Sequence, residues 1–156
     1  MNITIVAVGQ KLPAWAQTAV DDYLARFPRD FTVIVKEVKA EARTGGKHVA
    51  QVMAAEAERI ERAVPAGDIL VAMDEHGRDM TTVDFAKKIS GWKNEGCGVT
   101  FIIGGADGLD PALKAKSRMM LRLSSMTLPH AFARVLLTEQ IYRAWSILAN
   151  HPYHRV

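Results

Sequence analysis

Four short runs of β-branched and apolar residues are spaced along the chain: residues 2–9 (NITIVAVG), 31–38 (FTVIVKEV), 68–73 (DILVAM) and 98–103 (GVTFII). Each is too short for a buried helix, and glycine or a polar turn bounds most of them, so each reads as a strand. DILVAM carries no polar residue after Asp68, so it has no face to offer to water and must be covered on both sides. Segments with helical spacing lie between the runs. Strands that alternate with helices predict a mostly parallel sheet with helices on both faces, and this constraint rules out most other architectures.

The punctuation agrees with that reading. Pro13 opens a helix that runs to Phe27, with Trp15, Val20 and Leu24 on one face. Residues 39–47 (KAEARTGGK) are charged and glycine-bearing and read as a loop. A helix spans residues 48–63, and residues 74–80 (DEHGRDM) read as a turn. Thr81 and Asp84 have the spacing of a capping box at the start of a helix that runs to Trp92. Asp110 followed by Pro111 starts a short helix. A fifth strand, MMLRLS, then leads into a long helix from His130 to Asn150. There is no repeat, linker or low-complexity stretch, and one domain over residues 1–156 is expected.

Composition narrows the function classes. Apolar residues make up 49% of the chain and charged residues 24%, so disorder is excluded. The formal charge of +3 permits a polyanionic partner without demanding one. A single cysteine, Cys97, cannot form an internal disulfide, and clustered Cys/His spacing is absent, so no metal is expected. The N-terminus lacks a secretory pattern, and residues 131–149 carry Arg134, Glu139 and Arg143, so no membrane span is expected and the location reads as cytoplasmic.

Open α/β sheets bind ligands at the carboxyl ends of their strands, and three ends here are specialised. They are Met73-Asp74, the glycine loop IIGGADGLD at 102–110, and residues 123–128. The glycine loop fits neither the dinucleotide fingerprint nor a phosphate loop, for it lacks the lysine. Gly104 and Gly105 suit either close approach to a ligand or a tight strand-to-helix turn. Residues 123–130 (LSSMTLPH) offer no charged side chain before His130. They suit either a flat neutral ring held by backbone groups or a buried connection.

Taken together, IIGGADGLD, LRLSSMTLPHAFARVLLTEQIYRAWSI and the terminal NHPYHRV resemble the SPOUT α/β-knot methyltransferases, and within them the RlmH family. The likeness runs the full length from VAVGQKLPAW onward, with Ala106-Asp107 where Pro-Glu is more usual. It implies a C-terminal trefoil knot, an S-adenosylmethionine-dependent enzyme without a metal, and a single domain with no separate RNA-binding domain. The implied activity is methylation of N3 of a pseudouridine in large-subunit (23S) ribosomal RNA, on assembled ribosomes. A SPOUT enzyme acting on another RNA atom, such as a ribose 2′-OH, is the alternative. The resemblance places the cofactor among Met73, Gly104, Leu123, Ser124, Ser125, Met126, Thr127 and Leu128. It also implies a homodimer through the last helix, whose Phe132, Val135, Leu136, Ile141, Trp145 and Leu148 cover more than one face.

Methyl transfer to N3 requires loss of an imide proton, so an acceptor is needed near the ring. Arg143, Tyr153, His154 and Arg155 are the candidates for catalysis: arginines to hold phosphate or an anionic ring, Tyr153 to stack, His154 to take the proton. His130, behind Pro129, is expected to make a local structural hydrogen bond, and His48 and His76 read as surface residues. Lys11, Arg26, Arg29, Arg43 and Lys47 form a possible RNA rim. A non-catalytic RNA-binding protein and a nucleotide hydrolase are the rival classes; the missing phosphate-loop lysine argues against the second.

Overall fold

The computed structural model describes residues 1–9 and 11–155. Its elements are β1 (Asn2–Val8), α1 (Ala14–Leu24), β2 (Thr32–Val38), α2 (Val49–Ala63), β3 (Ile69–Arg78), α3 (Thr82–Asn94), β4 (Val99–Ile103), α4 (Pro111–Lys116), β5 (Met119–Leu121) and α5 (His130–Leu148). The strands form one five-stranded sheet in the order β2-β1-β4-β3-β5, and every neighbouring pair is parallel. The predicted architecture is therefore observed.

Alternation along the strands divides the core into two layers. Ile3, Ile5, Ala7, Val71, Val99, Phe101 and Ile103 pack with Phe85 and Ile89 of α3 and with Leu137, Ile141 and Ala144 of α5. Leu12, Ala16 and Val20 add α1 to that side. Val6, Val8, Ala72 and Ile102 face the other way, toward Ile60 of α2 and Leu109 and Leu113 near α4. Both faces of β1 and β4 are covered, as their unbroken apolar sequences require.

Helix starts follow the expected chemistry. Thr81 Oγ1 accepts from the Asp84 N–H at 3.1 Å, and the Asp110 carboxylate accepts from the Ala112 N–H at 2.8 Å. His48 stands at the N-cap of α2, with Gln51 reaching back to its N–H.

Three expectations fail. Helix α1 ends at Leu24 rather than Phe27, because Phe27 leaves the helix to stack on Phe31 with ring centroids 5.8 Å apart. Trp15 does not share the buried face of Val20; it is 50% exposed. Residues 74–78 do not turn the chain but continue β3, which pairs Met73 with Leu121 and, after a register shift, Arg78 with the same Leu121. Gly77 makes this possible, since a Cβ there would stand 2.7 Å from the Leu121 backbone. The shift is a bulge that crowds the end of β3 against the end of β5, so β5 is three residues long and the chain enters residues 122–129 directly above the sheet.

Candidate active site

Chain segments at the carboxyl ends of β3, β4 and β5 surround a cavity of about 570 Å³. Its lining includes Met73 and Asp74 from β3, Gly104 through Leu109 after β4, Leu121 through Ser124, and Met126, Thr127, Leu128 and His130. This is the strand-end position where open α/β sheets hold ligands, and the volume is that of a small-molecule site.

One wall is built from packed backbone. A Cβ on Gly104 would lie 2.5 Å from the carbonyl carbon of Gly108, so Gly104 is glycine because the loop folds back on itself. The Gly108 N–H donates to the Gly105 carbonyl at 3.0 Å, closing the turn. A Cβ on Gly105 would meet the Glu56 carboxylate at 3.0 Å. Glu56 is buried, and its other oxygen accepts from the Glu41 N–H at 3.0 Å. The 39–47 loop is thereby tied to the wall, and Arg43 pairs with Asp107 beside it. Of the two loop readings left open by sequence, Gly104 makes the tight turn, and it also lines the cavity.

The facing wall is looser. Ser124 Oγ accepts from the Met126 N–H at 2.9 Å, a local turn contact. Met126 is 77% exposed, and Ser125 and Thr127 are exposed as well. Ser125 does not line the cavity, unlike the other seven residues the resemblance placed there. Three carboxylates line the cavity: Asp74, facing Lys114 at 3.8 Å, Glu75, and Asp107, paired with Arg43.

Arg143, Tyr153 and His154 come together elsewhere. The Tyr153 hydroxyl donates to Glu139 Oε1 at 3.0 Å and takes the hydroxyl hydrogen of Tyr23 at 3.0 Å. Arg143 clamps the same Glu139 through Nε and Nη2, at 2.8 and 2.6 Å, and its guanidinium lies 5.1 Å from the Tyr153 ring centroid. Burial, then the Tyr23 and Glu139 hydrogen bonds, push the Tyr153 phenol well above its ordinary range, so it stays protonated and is no base. The Glu139 hydrogen bond raises Arg143 further, so it remains a cation.

His154 is different. Ser146 has one hydroxyl hydrogen, and that goes to the Arg143 carbonyl at 2.8 Å. Ser146 Oγ must therefore accept from His154 Nδ1, 3.1 Å away, which leaves the Nε2 of a neutral imidazole with a free lone pair. Arg155 is exposed.

None of the four candidate catalytic residues lines the cavity. Glu139 follows His130 by nine residues on α5, about 14 Å at about 1.5 Å per residue. A smaller hollow of about 200 Å³ adjoins the cavity, sharing Leu121, Arg122 and Leu123 with it and reaching Leu136 and Gln140. Glu139 and Tyr23 were missed by sequence reasoning. The i, i+4 spacing of Glu139 and Arg143 was visible, whereas Tyr23 lies 130 residues from its partner.

The last helix exposes less apolar surface than its sequence suggested. Trp145 is half-buried against Tyr142 and His151 of its own chain, with centroids 5.4 and 5.2 Å away. Phe132, Leu136 and Leu148 are the exposed apolar residues, and Phe132 packs on Trp15 at 4.8 Å. No helix among the described residues is long and apolar enough to cross a membrane.

Comparison with known proteins agrees with the geometry. A family model described as "Predicted SPOUT methyltransferase" matches residues 1–154. A protein of Ralstonia pickettii named "Ribosomal RNA large subunit methyltransferase H" is 54% identical over 156 residues, covering 100% of both chains. A Bordetella avium protein of the same name is 54% identical over 155 residues, with 99% of each chain covered. In fold, the chain is similar to a probable methylase family protein from Haemophilus influenzae Rd KW20, with TM-score 0.58 at 14% identity over 99% of this chain and 70% of that one. A putative methylase family protein from Neisseria gonorrhoeae gives 0.54 at 13% identity, over 99% and 95%.

Proposed function

The chain belongs to the SPOUT methyltransferase family, and from that premise we propose that it transfers a methyl group from S-adenosylmethionine to N3 of a pseudouridine in large-subunit ribosomal RNA. The relatives at 54% identity over the full chain carry the large-subunit name and support the substrate class. In this reading residues 1–156 act as one domain without a separate RNA-binding module, in the cytoplasm, on assembled ribosomes, and the C-terminal chain follows the knotted path of the family.

The cavity fits the cofactor by its chemistry. Its uncharged wall of Leu123, Ser124, Met126, Thr127 and Leu128 suits a neutral flat base. Asp74, Glu75 and Asp107 in the lining suit a ligand that carries positive charge, with Lys114 and Arg43 balancing Asp74 and Asp107 until it arrives. S-adenosylmethionine supplies an electrophilic methyl group on a cationic sulfur. The remaining steps belong to this chain's residues. His154 Nε2 takes the N3 proton as the ring nitrogen takes the methyl, and the Arg143 cation stabilises the ring's developing negative charge. Tyr153, protonated and fixed by Glu139 and Tyr23, offers a stacking face.

The observation that carries the proposal is the separation of the two halves. The cavity and the Tyr153–His154 cluster lie in different places on one chain, so each working site combines the cavity of one protomer with the tail of another. The exposed pair Trp15 and Phe132, with Leu136 behind, is the apolar surface that supports such a homodimer. Nucleoside mass spectrometry of ribosomal RNA from cells with and without the protein tests the reading. Loss of N3-methylpseudouridine alone supports it; loss of a ribose 2′-O-methyl mark instead assigns a different acceptor.

A further inference from the structure

Arg134 is the largest fully buried side chain, 1% exposed, and stands one turn after His130 on α5. Its Nη1 donates to Glu37 Oε2 of β2 at 3.0 Å, and its Nη2 lies 3.1 Å from His130 Nε2. A guanidinium has donors only, so His130 Nε2 must present its lone pair. The imidazole hydrogen is then on Nδ1, and the Gly104 carbonyl is near enough to favour the protonated ring. Gly104 opens the glycine loop and His130 ends the opposite wall, and both line the cavity.

From this geometry we infer that His130 and Arg134 are positioning residues for the cofactor: the chain Glu37–Arg134–His130 locks the wall that ends at His130 to β2, across the cavity from Gly104. The inference rests on the reading of the cavity as the S-adenosylmethionine site. The lock holds only while His130 is neutral. A second ring proton would sit on Nε2 and point at a guanidinium that cannot accept it. The charged groups facing the ring are Arg134 from α5 and Glu37 from β2, while the glycine loop contributes the Gly104 carbonyl. Burial first, and Arg134 second, hold the His130 pKa below its ordinary value; Glu37 and the carbonyl oppose them. The sign follows. A depressed pKa keeps the neutral, locked form dominant at neutral pH, and the lock fails as pH falls below the ordinary histidine range toward the depressed value.

The test measures equilibrium binding of S-adenosylmethionine to the full chain between about pH 8 and about pH 5, for wild type, His130→Gln and His130→Phe. Glutamine keeps one donor and one acceptor and does not titrate in this range. Wild-type affinity is expected to fall by about tenfold per pH unit once the pH is below the His130 pKa. His130→Gln should stay within about threefold of wild type at neutral pH and lose that pH dependence, a pattern a merely space-filling histidine would not give. His130→Phe, checked for folding by circular dichroism, should bind at least about tenfold more weakly throughout, as for a lost supporting contact. Equal affinity and equal pH dependence in all three proteins would overturn the inference. A ligand-free readout separates this from failure of the cofactor reading: nitrogen NMR of the His130 ring should show hydrogen on Nδ1 and a bare Nε2 at neutral pH. The opposite tautomer overturns the lock whether or not the cofactor binds; absence of cofactor binding with the expected tautomer sinks the functional reading and the positioning role together, leaving only a structural contact.

Discussion

The two ends of α5 are built on opposite principles. At its start, backbone dominates: Gly104 folded on Gly108, a loop with no charge over residues 123–128, and one buried cation, Arg134, held inside. Toward its other end, side chains dominate: Glu139 gathers Arg143, Tyr153 and through it Tyr23, and Ser146 orients His154. The first arrangement encloses a cavity, but none of the four candidate catalytic residues lines it. The second gathers three of those candidates, Arg143, Tyr153 and His154, away from that cavity. On the reading proposed above, the difference means that one chain carries two half-sites, and that activity depends on what brings them together.

The sharpest way to break this comparison is to disable each half on a different chain. His154→Ala alone should lower the single-turnover methylation rate by at least about a hundredfold, with cofactor affinity unchanged in calorimetry. Leu128→Glu, which puts a charge into the cavity, should abolish cofactor binding. If the chain dimerises as proposed, co-expression of the two variants gives mixed dimers in which one site has an intact cavity and an intact tail, so activity should return. If mixed dimers stay dead, the tail serves its own chain's cavity and the separation has been misread.

Phe132→Asp should come next in size. A charge on the exposed Trp15–Phe132 pair is expected to yield monomers in sedimentation that still bind the cofactor yet do not methylate ribosomes. A fully active monomer would remove the need for a second chain.

Gly104→Val tests the packed wall. Its side chain meets the Gly108 carbonyl carbon and Leu109 nitrogen, so strain of about 1–3 kcal/mol is expected in the folded state itself. Thermal denaturation should show a melting temperature lower by several degrees, about 2–4 °C per kcal/mol for a chain of this size. The smallest effect belongs to the loose wall. Ser124→Ala removes one hydrogen bond to an exposed loop and should cost less than about 1 kcal/mol, with a modest loss of cofactor affinity.

The same contrast decides what was legible in the sequence. Strands β1 and β4 announced themselves because both faces of a covered parallel strand must be apolar, β2 by its β-branched run at the sheet edge, and the caps Thr81 and Asp110 act within their own turns. Residues 74–78 misled because Asp, Glu, His and Gly read locally as a turn; what extends β3 is pairing with β5, more than forty residues further on. The cavity wall was legible as a contiguous loop joined to a family resemblance. Glu37, Tyr23 and Glu56 were not, since each meets its partner across elements that periodicity cannot bring together. The breadth of apolar residues on α5 overstated its exposed face, because Trp145 is turned into its own chain by the returning tail.

Helix α5 supplies Leu137, Ile141 and Ala144 to the main core layer, all fully buried, and it is the last element of the chain. A polypeptide is made from its N-terminus, so during synthesis α1, α3 and the sheet face they share wait uncovered until these final residues emerge. The contacts that close the molecule, such as Tyr23 with Tyr153, span almost its whole length. Folding dominated by such distant partners is slow, and the nascent chain spends its life with an open apolar face. A frameshift or stop codon shortly before α5 thus yields an aggregation-prone fragment rather than a weakened enzyme.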